Sequence, residues 1–355
     1  MNIKIHSSEI NRMMKTVGQC IDQKDTSKLA NIEIIYDNNL LTIRGTDGSM
    51  SAVVSTPVLG GSGEVFCVDG QMFSRVCAMC SGEISIVTDD KHCTVKGAGR
   101  TRMPIVNAKI PRHEHVNGNT ITVSASDFAL CYGGVSYAIS SDQNRIQLTG
   151  VLAETKDNTL TMTALDGFQM SCESSQCTGD DMKVIIPGTF MKLITQSTSA
   201  DEQITIRTDG KRIEATTEGM FISCGLLHGD FPDAGTIFPK DFKTKCLINA
   251  DELLNALKCG SVVNNKQNLV KLDIGETCIK VMNNSESADF DADVQCSTHG
   301  DTLKIAFNQK YLMNTINSIG TDNIILMFNS SVSPCVAKGQ DTVGTRLVLP
   351  VRVMG

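Results

Sequence analysis

One arrangement of apolar and polar residues occurs three times along this chain. In each copy, a segment that alternates like a β-strand leads through a polar step with an acidic residue into an amphipathic helix. The three segments are residues 3–9, 121–127 and 246–252, and their closing acidic residues are 118 and 125 positions apart. A period of this length matches whole domains. The pattern therefore predicts three repeated domains.

The helices that follow these segments share one phase. Apolar residues recur at i, i+3, i+4 and i+7, which gives each helix a single buried stripe. The three stripes consist of Ile10, Met13, Met14 and Val17, of Phe128, Cys131, Tyr132 and Val135, and of Leu253, Ala256, Leu257 and Gly260. Ser8, Ser126 and Asp251 are predicted N-caps, and the acidic residue after each suits the positive end of a helix.

A second helix is predicted in the latter half of each copy, again after a strand. The apolar positions of these helices are Phe73, Val76, Cys77 and Cys80, then Phe190, Leu193 and Ile194, and then Leu312, Thr315, Ile316 and Ile319. Turn residues such as those at Asp89-Asp90 and Asp209-Gly210 separate the strand-rich stretches.

Strand pairs complete each repeat. They are predicted at residues 40–44 with 51–55, 159–163 with 169–173, and 277–282 with 290–295. Each repeat then holds two helices and roughly eight strands, a usual size for one domain. With boundaries near Asn117 and Lys243, the chain divides into residues 1–117, 118–243 and 244–355, in the α+β class. The alternative is three unrelated α+β domains whose helices match by chance.

Composition narrows the class of protein. The chain has 355 residues, 41% hydrophobic and 20% charged, as expected of a folded globular protein. It contains no apolar run of about 18 residues and no signal-like start, so we expect a cytoplasmic protein outside the membrane. In such a compartment its 14 cysteines are expected to be reduced. The net charge of −7 is unlike that of conventional DNA-binding domains.

Several stretches resemble the sliding clamp, the β subunit of bacterial DNA polymerase III. The resemblance follows the whole chain in the same order and with similar spacing. It is carried by residues 150–154 (GVLAE) with 164–170 (ALDGFQM), 231–233 (FPD) with 238–239 (FP), 307–311 (FNQKY) and 349–353 (LPVRV). Any one of these motifs is weak evidence, whereas four sets in register on a threefold repeat are specific.

The resemblance implies a non-catalytic protein. Two chains would join head to tail into a ring around duplex DNA, with helices lining the hole and antiparallel sheets outside. A heterologous contact that closes after two subunits gives such a ring. Implied partners are double-stranded DNA without sequence preference, the DNA polymerase III α subunit, the clamp loader and other proteins with a clamp-binding motif. No cofactor or metal is implied.

A local basic lining would reconcile the net charge of −7 with DNA in the hole. Basic residues on or beside the predicted inner helices are Arg12, Lys15, Lys24, Arg75, Arg145, Lys192, Lys258 and Lys266. Lys24 follows the first helix, where the family carries a basic DNA contact. Phosphate contacts carry no sequence information, which suits a protein that slides. The alternative for each residue is an ordinary solvated helix face.

The resemblance also implies a pocket for short peptide motifs between the second and third domains. Extended peptides bind such sites by filling side-chain pockets. The matching positions are Leu148, Leu165, Gly167, Phe168, Gln169, Met170, Pro232, Thr236, Ile237, Asn308, Tyr311, Val332, Leu349, Pro350, Val351, Arg352 and Val353. For Leu148 and Ile237 the alternative is simple core packing.

This sequence departs from the family within that pocket. Phe168, Gln169 and Met170 stand where His-Arg-Leu is usual, and Gly235 and Thr236 stand where an arginine is usual. The chain also continues two residues beyond the usual end. We therefore expect a more apolar and less basic pocket.

For the contact between two chains, the resemblance implies basic and apolar residues of the first domain facing acidic and apolar residues of the partner's third domain. The residues are Arg100, Arg102, Met103, Ile105, Val262, Val263, Glu286 and Asp289. Apolar contact flanked by opposite charges is a typical interface composition. The alternative is surface charge without a partner.

Other chemistry finds little support in the sequence. Residues 77–80 form a CxxC without the second pair that a zinc site needs, and residues 113–115 (His-Glu-His) lack a third spaced ligand. No phosphate loop or nucleophile elbow is present, and the Gly97-Ala98-Gly99 stretch lies between strands. Asp47 and Asp166 recur at equivalent positions, which indicates turns. Two rivals stay open: a hydrolase or transferase with an unrecognised centre, and a repeat-built scaffold that binds proteins without encircling DNA.

Overall fold

The fold is taken from a computed structural model that describes residues 2–24, 27–60, 63–112, 115–263 and 268–352. The chain forms two compact units. The first comprises Met1–Phe128, Cys177–Asp181 and Thr189–Leu226, and the second comprises Ala129–Gln176, Met182–Gly188 and Leu227–Gly355. The repeat boundaries near Asn117 and Lys243 stay a prediction.

The elements of the first repeat alternate as the sequence predicts. They are β1 (Asn2–His6), α1 (Ser7–Val17), a short 3-10 turn (Lys28–Ala30), β2 (Asn31–Asp37), β3 (Leu40–Thr46), β4 (Met50–Pro57), β5 (Glu64–Asp69), α2 (Gly70–Ala78), β6 (Glu83–Thr88), β7 (His92–Lys96) and β8 (Arg100–Pro104).

The second repeat has the same order with small additions. Its elements are β9 (Asn119–Ser124), α3 (Ala125–Ser136), a 3-10 stretch (Gln143–Thr149), β10 (Gly150–Lys156), β11 (Thr159–Leu165), β12 (Gln169–Gln176), β13 (Thr178–Gly179), β14 (Met182–Pro187), α4 (Gly188–Ser197), β15 (Gln203–Thr208), β16 (Arg212–Thr217), β17 (Met220–Gly225) and the short α5 (Ala234–Ile237).

The third repeat returns to the order of the first. It contains β18 (Thr244–Asn249), α6 (Ala250–Gly260), β19 (Leu269–Ile274), β20 (Cys278–Asn284), β21 (Asp289–His299), β22 (Leu303–Asn308), α7 (Gln309–Asn317), β23 (Asn323–Phe328), β24 (Cys335–Gly339) and β25 (Thr345–Val348). The three predicted strand pairs are confirmed as β3–β4, β11–β12 and β20–β21.

Antiparallel pairing continues from one repeat into the next within each unit. The first unit contains a nine-stranded sheet ordered β13-β9-β15-β16-β17-β4-β3-β2-β5 and a four-stranded sheet ordered β1-β6-β7-β8. The second unit contains a twelve-stranded sheet ordered β14-β10-β11-β12-β25-β24-β23-β18-β21-β20-β19-β22. Pairing β17 with β4, and β12 with β25, removes sheet edges that would otherwise be free to aggregate.

The predicted helix stripes form the core against these sheets. In α1, Ile10, Met13, Met14 and Val17 are at most 3% exposed, and the stripe of α6 is likewise buried. In α3, Tyr132 is half-buried and donates its hydroxyl to the Gly188 carbonyl at 3.2 Å. The phase predicted from the sequence is confirmed for all three helices.

Two of the second helices end earlier than predicted. The helix α2 stops at Ala78 and α7 stops at Asn317, so Cys80 and Ile319 lie beyond them. In both places the chain reaches a glycine with positive φ, Gly82 at 72° and Gly320 at 71°. A helix cannot continue through that left-handed conformation.

The predicted N-caps are two residues too late. The caps are His6, Ser124 and Asn249, because each strand runs directly into its helix. The Asn249 side-chain oxygen accepts the Glu252 amide at 3.0 Å, and the Ser124 hydroxyl accepts the Asp127 amide at 3.1 Å. All three caps keep the repeat's spacing, so the equivalence of the helices extends to their first hydrogen bonds.

The cysteines behave as core residues. All fourteen are free thiols, and most are buried. Burial raises the pKa of Cys20, Cys77 and Cys93 to about 12, which leaves these thiols protonated and unreactive at neutral pH. Among the described residues no helix is long and apolar enough to cross a membrane.

Replacement of the cap residue Asn249 by alanine is expected to lower the free energy of unfolding by about 1 kcal/mol, because the Glu252 amide loses its acceptor. Asn249→Ser should retain most of the stability. Asn255→Ala, on the exposed face of the same helix, is the matched control and should not lower the stability, because alanine favours the helix interior more than asparagine does. Urea unfolding followed by circular dichroism measures all three, and equal loss in Asn249→Ala and Asn255→Ala would contradict the assigned cap.

Candidate peptide-binding pocket and basic helix faces

A row of apolar side chains crosses five strands of the second unit. Strand register places Leu165 opposite Met170, Met170 opposite Leu347, Leu347 opposite Val336, and Val336 opposite Met327. Directly opposed residues share one face of a sheet, so these side chains form a continuous line. Leu148 joins the same buried cluster. Around it pack the partly buried residues Phe231, Ala234, Phe238, Phe242 and Ile325.

The turn between β11 and β12 presents an aromatic ring beside this row. Asp166 accepts the backbone amides of Phe168 at 2.8 Å and Gln169 at 2.9 Å, and Gly167 has a φ of 97° that suits only glycine. Phe168 is 54% exposed and stacks on Tyr311 with ring centroids 5.4 Å apart and planes at 18°. Burial and the nearby Asp166 charge raise the pKa of Tyr311, so its hydroxyl stays protonated at neutral pH.

Gln169 lies on the other side of this strand. Successive side chains of a strand point to opposite faces, so Gln169 cannot share the face of Met170. It is 3% exposed, and its amide nitrogen donates to Asp166 at 2.9 Å. Its predicted place in the pocket is therefore wrong, and it supports the turn instead.

Four of the predicted pocket residues are exposed apolar residues, and we call them the apolar rim. Ile237 is 36% exposed, Val332 59%, Leu349 38% and Val351 37%. The Leu349 amide donates to the Phe168 carbonyl at 2.9 Å, which ties the C-terminal segment to the β11–β12 turn. Leu148 is buried at 3%. The core alternative therefore fits Leu148 but not Ile237.

The remaining predicted pocket residues lie around this rim. Asn308 caps α7, with its side-chain oxygen accepting the Lys310 amide at 3.0 Å. Thr236 belongs to α5 and donates its hydroxyl to the Asp233 carbonyl at 2.8 Å. Pro232 and Arg352 are exposed, and Pro350 forms a bridge with Phe307. Val353 lies outside the described residues.

Sequence reasoning missed several members of the apolar row and its surroundings. Met327, Val336 and Leu347 join it only through strand register, which no local pattern reveals. Phe231 and Phe238 are the first residues of the FPD and FP motifs, so the motifs themselves could have identified them.

The predicted DNA-facing residues of the first unit are exposed on neighbouring helices. Arg12 and Lys15 lie on α1, Arg75 on α2 and Lys192 on α4, and Lys24 follows α1. The helices α1 and α4 are in contact through the hydroxyls of Thr16 and Ser197, 2.8 Å apart. Arg12 pairs with Glu9 at 3.2 Å, which offsets part of its charge.

In the second unit the basic residues are sparser. Lys258 lies exposed in the last turn of α6, and Arg145 lies in the 3-10 stretch and pairs with Asp142 at 3.2 Å. Lys266 lies outside the described residues. The helix α3 carries no basic residue, and it exposes Leu130 at 73%.

The residues predicted for a contact between chains lie on two strand edges and in a loop. Arg100 and Arg102 are exposed on β8, which pairs only with β7 in the part of the chain that the structure describes. Arg102 also pairs with Asp89 at 2.9 Å. Met103 is 1% exposed because it faces its own core, so its predicted place at a surface seam is wrong. Ile105 is half-buried just after the strand.

The acidic side of the predicted contact lies in the third repeat. Glu286 and Asp289 are exposed at the start of β21, whose residues 289–295 pair only with β20 within the described ranges. Val262 is 84% exposed just beyond the end of α6, and Val263 is half-buried.

The alternative chemistry gains no geometric support. Cys77 is buried on α2, and His115 lies 3.4 Å from Glu214, while His113 and Glu114 lie outside the described residues. No group of three His, Cys, Asp or Glu side chains among the described residues could hold a metal ion. Asp47, like Asp166, accepts backbone amides within a turn, as the sequence predicts.

Comparisons with known proteins agree along the chain. Residues 122–233 match the central domain of the DNA polymerase III beta subunit, and residues 235–352 match its C-terminal domain. Beta sliding clamps of Staphylococcus epidermidis and Pseudomonas aeruginosa are each 23% identical to the chain. The first match covers 97% of both proteins, and the second covers 99% of this chain and 100% of the relative.

Solved structures show the same fold. The DNA polymerase III beta subunit of Thermotoga maritima superimposes with a TM-score of 0.92 at 21% identity, covering 99% of this chain and 100% of that one. The sliding clamp of Pseudomonas aeruginosa bound to griselimycin gives 0.93 at 22% identity with the same coverage. The chain therefore belongs to the DNA polymerase III β subunit family, the beta sliding clamps, which are non-catalytic processivity factors.

Proposed function

We propose that two copies of this chain close into a ring around duplex DNA and tether the replicative polymerase there. The observation that carries the proposal is the repeated helix, which buries one stripe on a sheet and turns its opposite face to solvent. In the first unit, the solvent face of α1 carries Arg12 and Lys15, and α2 and α4 expose Arg75 and Lys192. Exposed cations of this kind contact phosphates without reading bases.

The two open strand edges support a head-to-tail dimer. The edge of β8 carries Arg100 and Arg102, whereas the edge of β21 begins with Asp289 after Glu286. Their unpaired backbone groups can extend a sheet from one chain to the next, and the opposite charges favour that register. Because the two edges differ, the contact is heterologous and requires a closing rotation.

The apolar row supports binding of short peptides from partners. Leu349 and Ile237 belong to the exposed apolar rim, Met170 and Leu347 belong to the buried row, and Phe168 with Tyr311 forms an aromatic pair. Partners of this pocket are the polymerase III α subunit, the clamp loader and other proteins with clamp-binding motifs. The function requires no cofactor, and replication of bacterial DNA places the chain in the cytoplasm.

Leu349→Lys is expected to reduce binding of the polymerase α subunit at least tenfold, because it puts a charge on the apolar rim. Its melting temperature should stay close to that of the unmodified chain, since Leu349 is already 38% exposed. Met170→Lys is the contrasting variant and should unfold at lower temperature, because Met170 is 2% exposed. Surface plasmon resonance and calorimetry give both readouts, and unchanged binding by Leu349→Lys would refute the pocket.

Val262→Glu is expected to convert dimers of about 77 kDa, twice the 38.3 kDa chain, into monomers. The added charge would be desolvated in the contact between chains. Val343→Glu is a matched control, because this valine is 82% exposed and Val262 is 84% exposed. Sedimentation at micromolar concentration measures both variants. A monomeric unmodified chain would overturn the ring.

Retention on DNA distinguishes encirclement from ordinary binding. Once loaded, the chain should persist on circular DNA at salt that strips proteins held by phosphate contacts, whose affinity falls by roughly a thousandfold or more between 50 and 200 mM salt. It should leave linear DNA through free ends, and blocked ends should restore retention. Gel filtration of the loaded DNA measures this. Equal retention on circular and open linear DNA, with a steep salt dependence on both, would exclude a closed ring.

A further inference from the structure

A second concave surface lies in the third repeat, on the solvent-exposed face of β20, β19 and β22. Strand register places Met282 opposite Lys271, and Lys271 opposite Ala306, so these three side chains lie in one row. Val332 from the loop after β23 and Arg352 from the C-terminal segment complete the walls. The cavity measures about 620 Å³. We call it the basic groove.

The basic groove continues from the candidate pocket along the C-terminal segment. The Leu349 amide donates to the Phe168 carbonyl at 2.9 Å, and the Val351 amide donates to the Ala306 carbonyl at 2.8 Å. Residues 349–351 therefore run from the pocket to the groove. Leu349 and Val351, two positions apart and similarly exposed, form the apolar ridge between them.

The charge of the groove differs from that of the pocket. Lys271, Lys304 and Arg352 all line it. Lys304 pairs with Asp273 at 3.1 Å, whereas Lys271 and Arg352 form no ion pair with the carboxylates of the described residues. Two cations are thus available to a ligand, beside apolar side chains of Met282 and Val332.

We propose that the basic groove binds an acidic stretch of the same partner peptide whose apolar anchor fills the pocket. This inference rests on the proposed function. Charge complementarity favours an acidic occupant, and the apolar walls favour a peptide, because the phosphates of a nucleic acid would leave Met282 and Val332 without contacts. The basic groove distinguishes partner peptides that carry the same apolar anchor but differ in the charge of the residues beside it.

Two synthetic peptides test the proposal on the full chain. Both carry a Leu-Leu-Phe anchor, flanked on each side by Gly and two Glu in one peptide and by Gly and two Gln in the other. Fluorescence anisotropy at low salt should give about fivefold tighter binding of the Glu peptide. That preference should shrink as salt screens the charges.

Substitutions in the groove should alter the preference and leave anchor binding unchanged. Lys271→Gln should reduce the fivefold preference to about twofold, and Lys271→Glu should abolish the preference, because the added carboxylate offsets the charge of Arg352. Lys304→Gln should act in the same direction. Lys156→Gln, an exposed lysine at the end of β10, is the matched control and should keep the preference intact. Thermal melts confirm that each variant is folded.

The outcomes separate the two proposals. Equal binding of both peptides by the unmodified chain, at an affinity that Leu349→Lys reduces, would overturn the groove and leave the pocket standing. Binding of neither peptide would overturn both. Self-association that Lys271→Gln abolishes and Val262→Glu leaves intact would identify a second copy of the chain as the occupant and would overturn the peptide proposal.

Discussion

The antiparallel pairing of β12 with β25 sets the position of every side chain in the apolar row. Met170 is directly opposite Leu347, and a shift of β12 by one residue would instead put Gln169 opposite Leu347 in that row. On the opposite face of the sheet, the contacts of the neighbouring residue Arg346 stabilise this register. Arg346 is 2% exposed and pairs with Glu173 at 2.6 Å, and it also donates to the Ser318 carbonyl at 3.0 Å. Breaking one partner of such a buried pair would leave an uncompensated charge.

Much of the fold follows from local patterns. The phase of α1, α3 and α6 was predictable because a helical period of 3.6 residues appears in sequence wherever one face is buried. The first residue of each helix was not, since Asn249 and Asp251 are both good caps and periodicity does not choose between positions two apart. The places of Gln169 and Met103 were accessible to alternation along their strands. The resemblance to a family predicted the wrong face for both side chains, because a matching motif shows which positions correspond and not which way each side chain points.

What could not be predicted depends on distant pairing. Met327 and Val336 join the apolar row through the pairing of β12 with β25, two strands far apart in sequence, and Lys271 joins the basic groove through the pairing of β19 with β22. Loop closure and register are properties of the whole sheet. The net charge of −7 likewise gives no information about where the charged residues lie. It sums the acidic residues at the start of β21 and the cations of α1, α2 and α4, which belong to different surfaces.

The chemistry of the pocket suits affinity for many partners, whereas the chemistry of the basic groove suits selectivity among them. Burial of apolar surface near Met170 and Leu349 is nearly independent of salt and of the partner's charge, and it suits an anchor common to many partners. Cations such as Lys271 act over about a Debye length and distinguish acidic flanks from basic ones. Phe168 increases the apolar contribution to binding. Its ring, stacked on Tyr311, offers an aromatic surface at a position where the family carries a histidine. Gly235 and Thr236 stand where the family usually carries an arginine, and the cations Lys271 and Arg352 of the neighbouring groove suit the acidic groups of a partner.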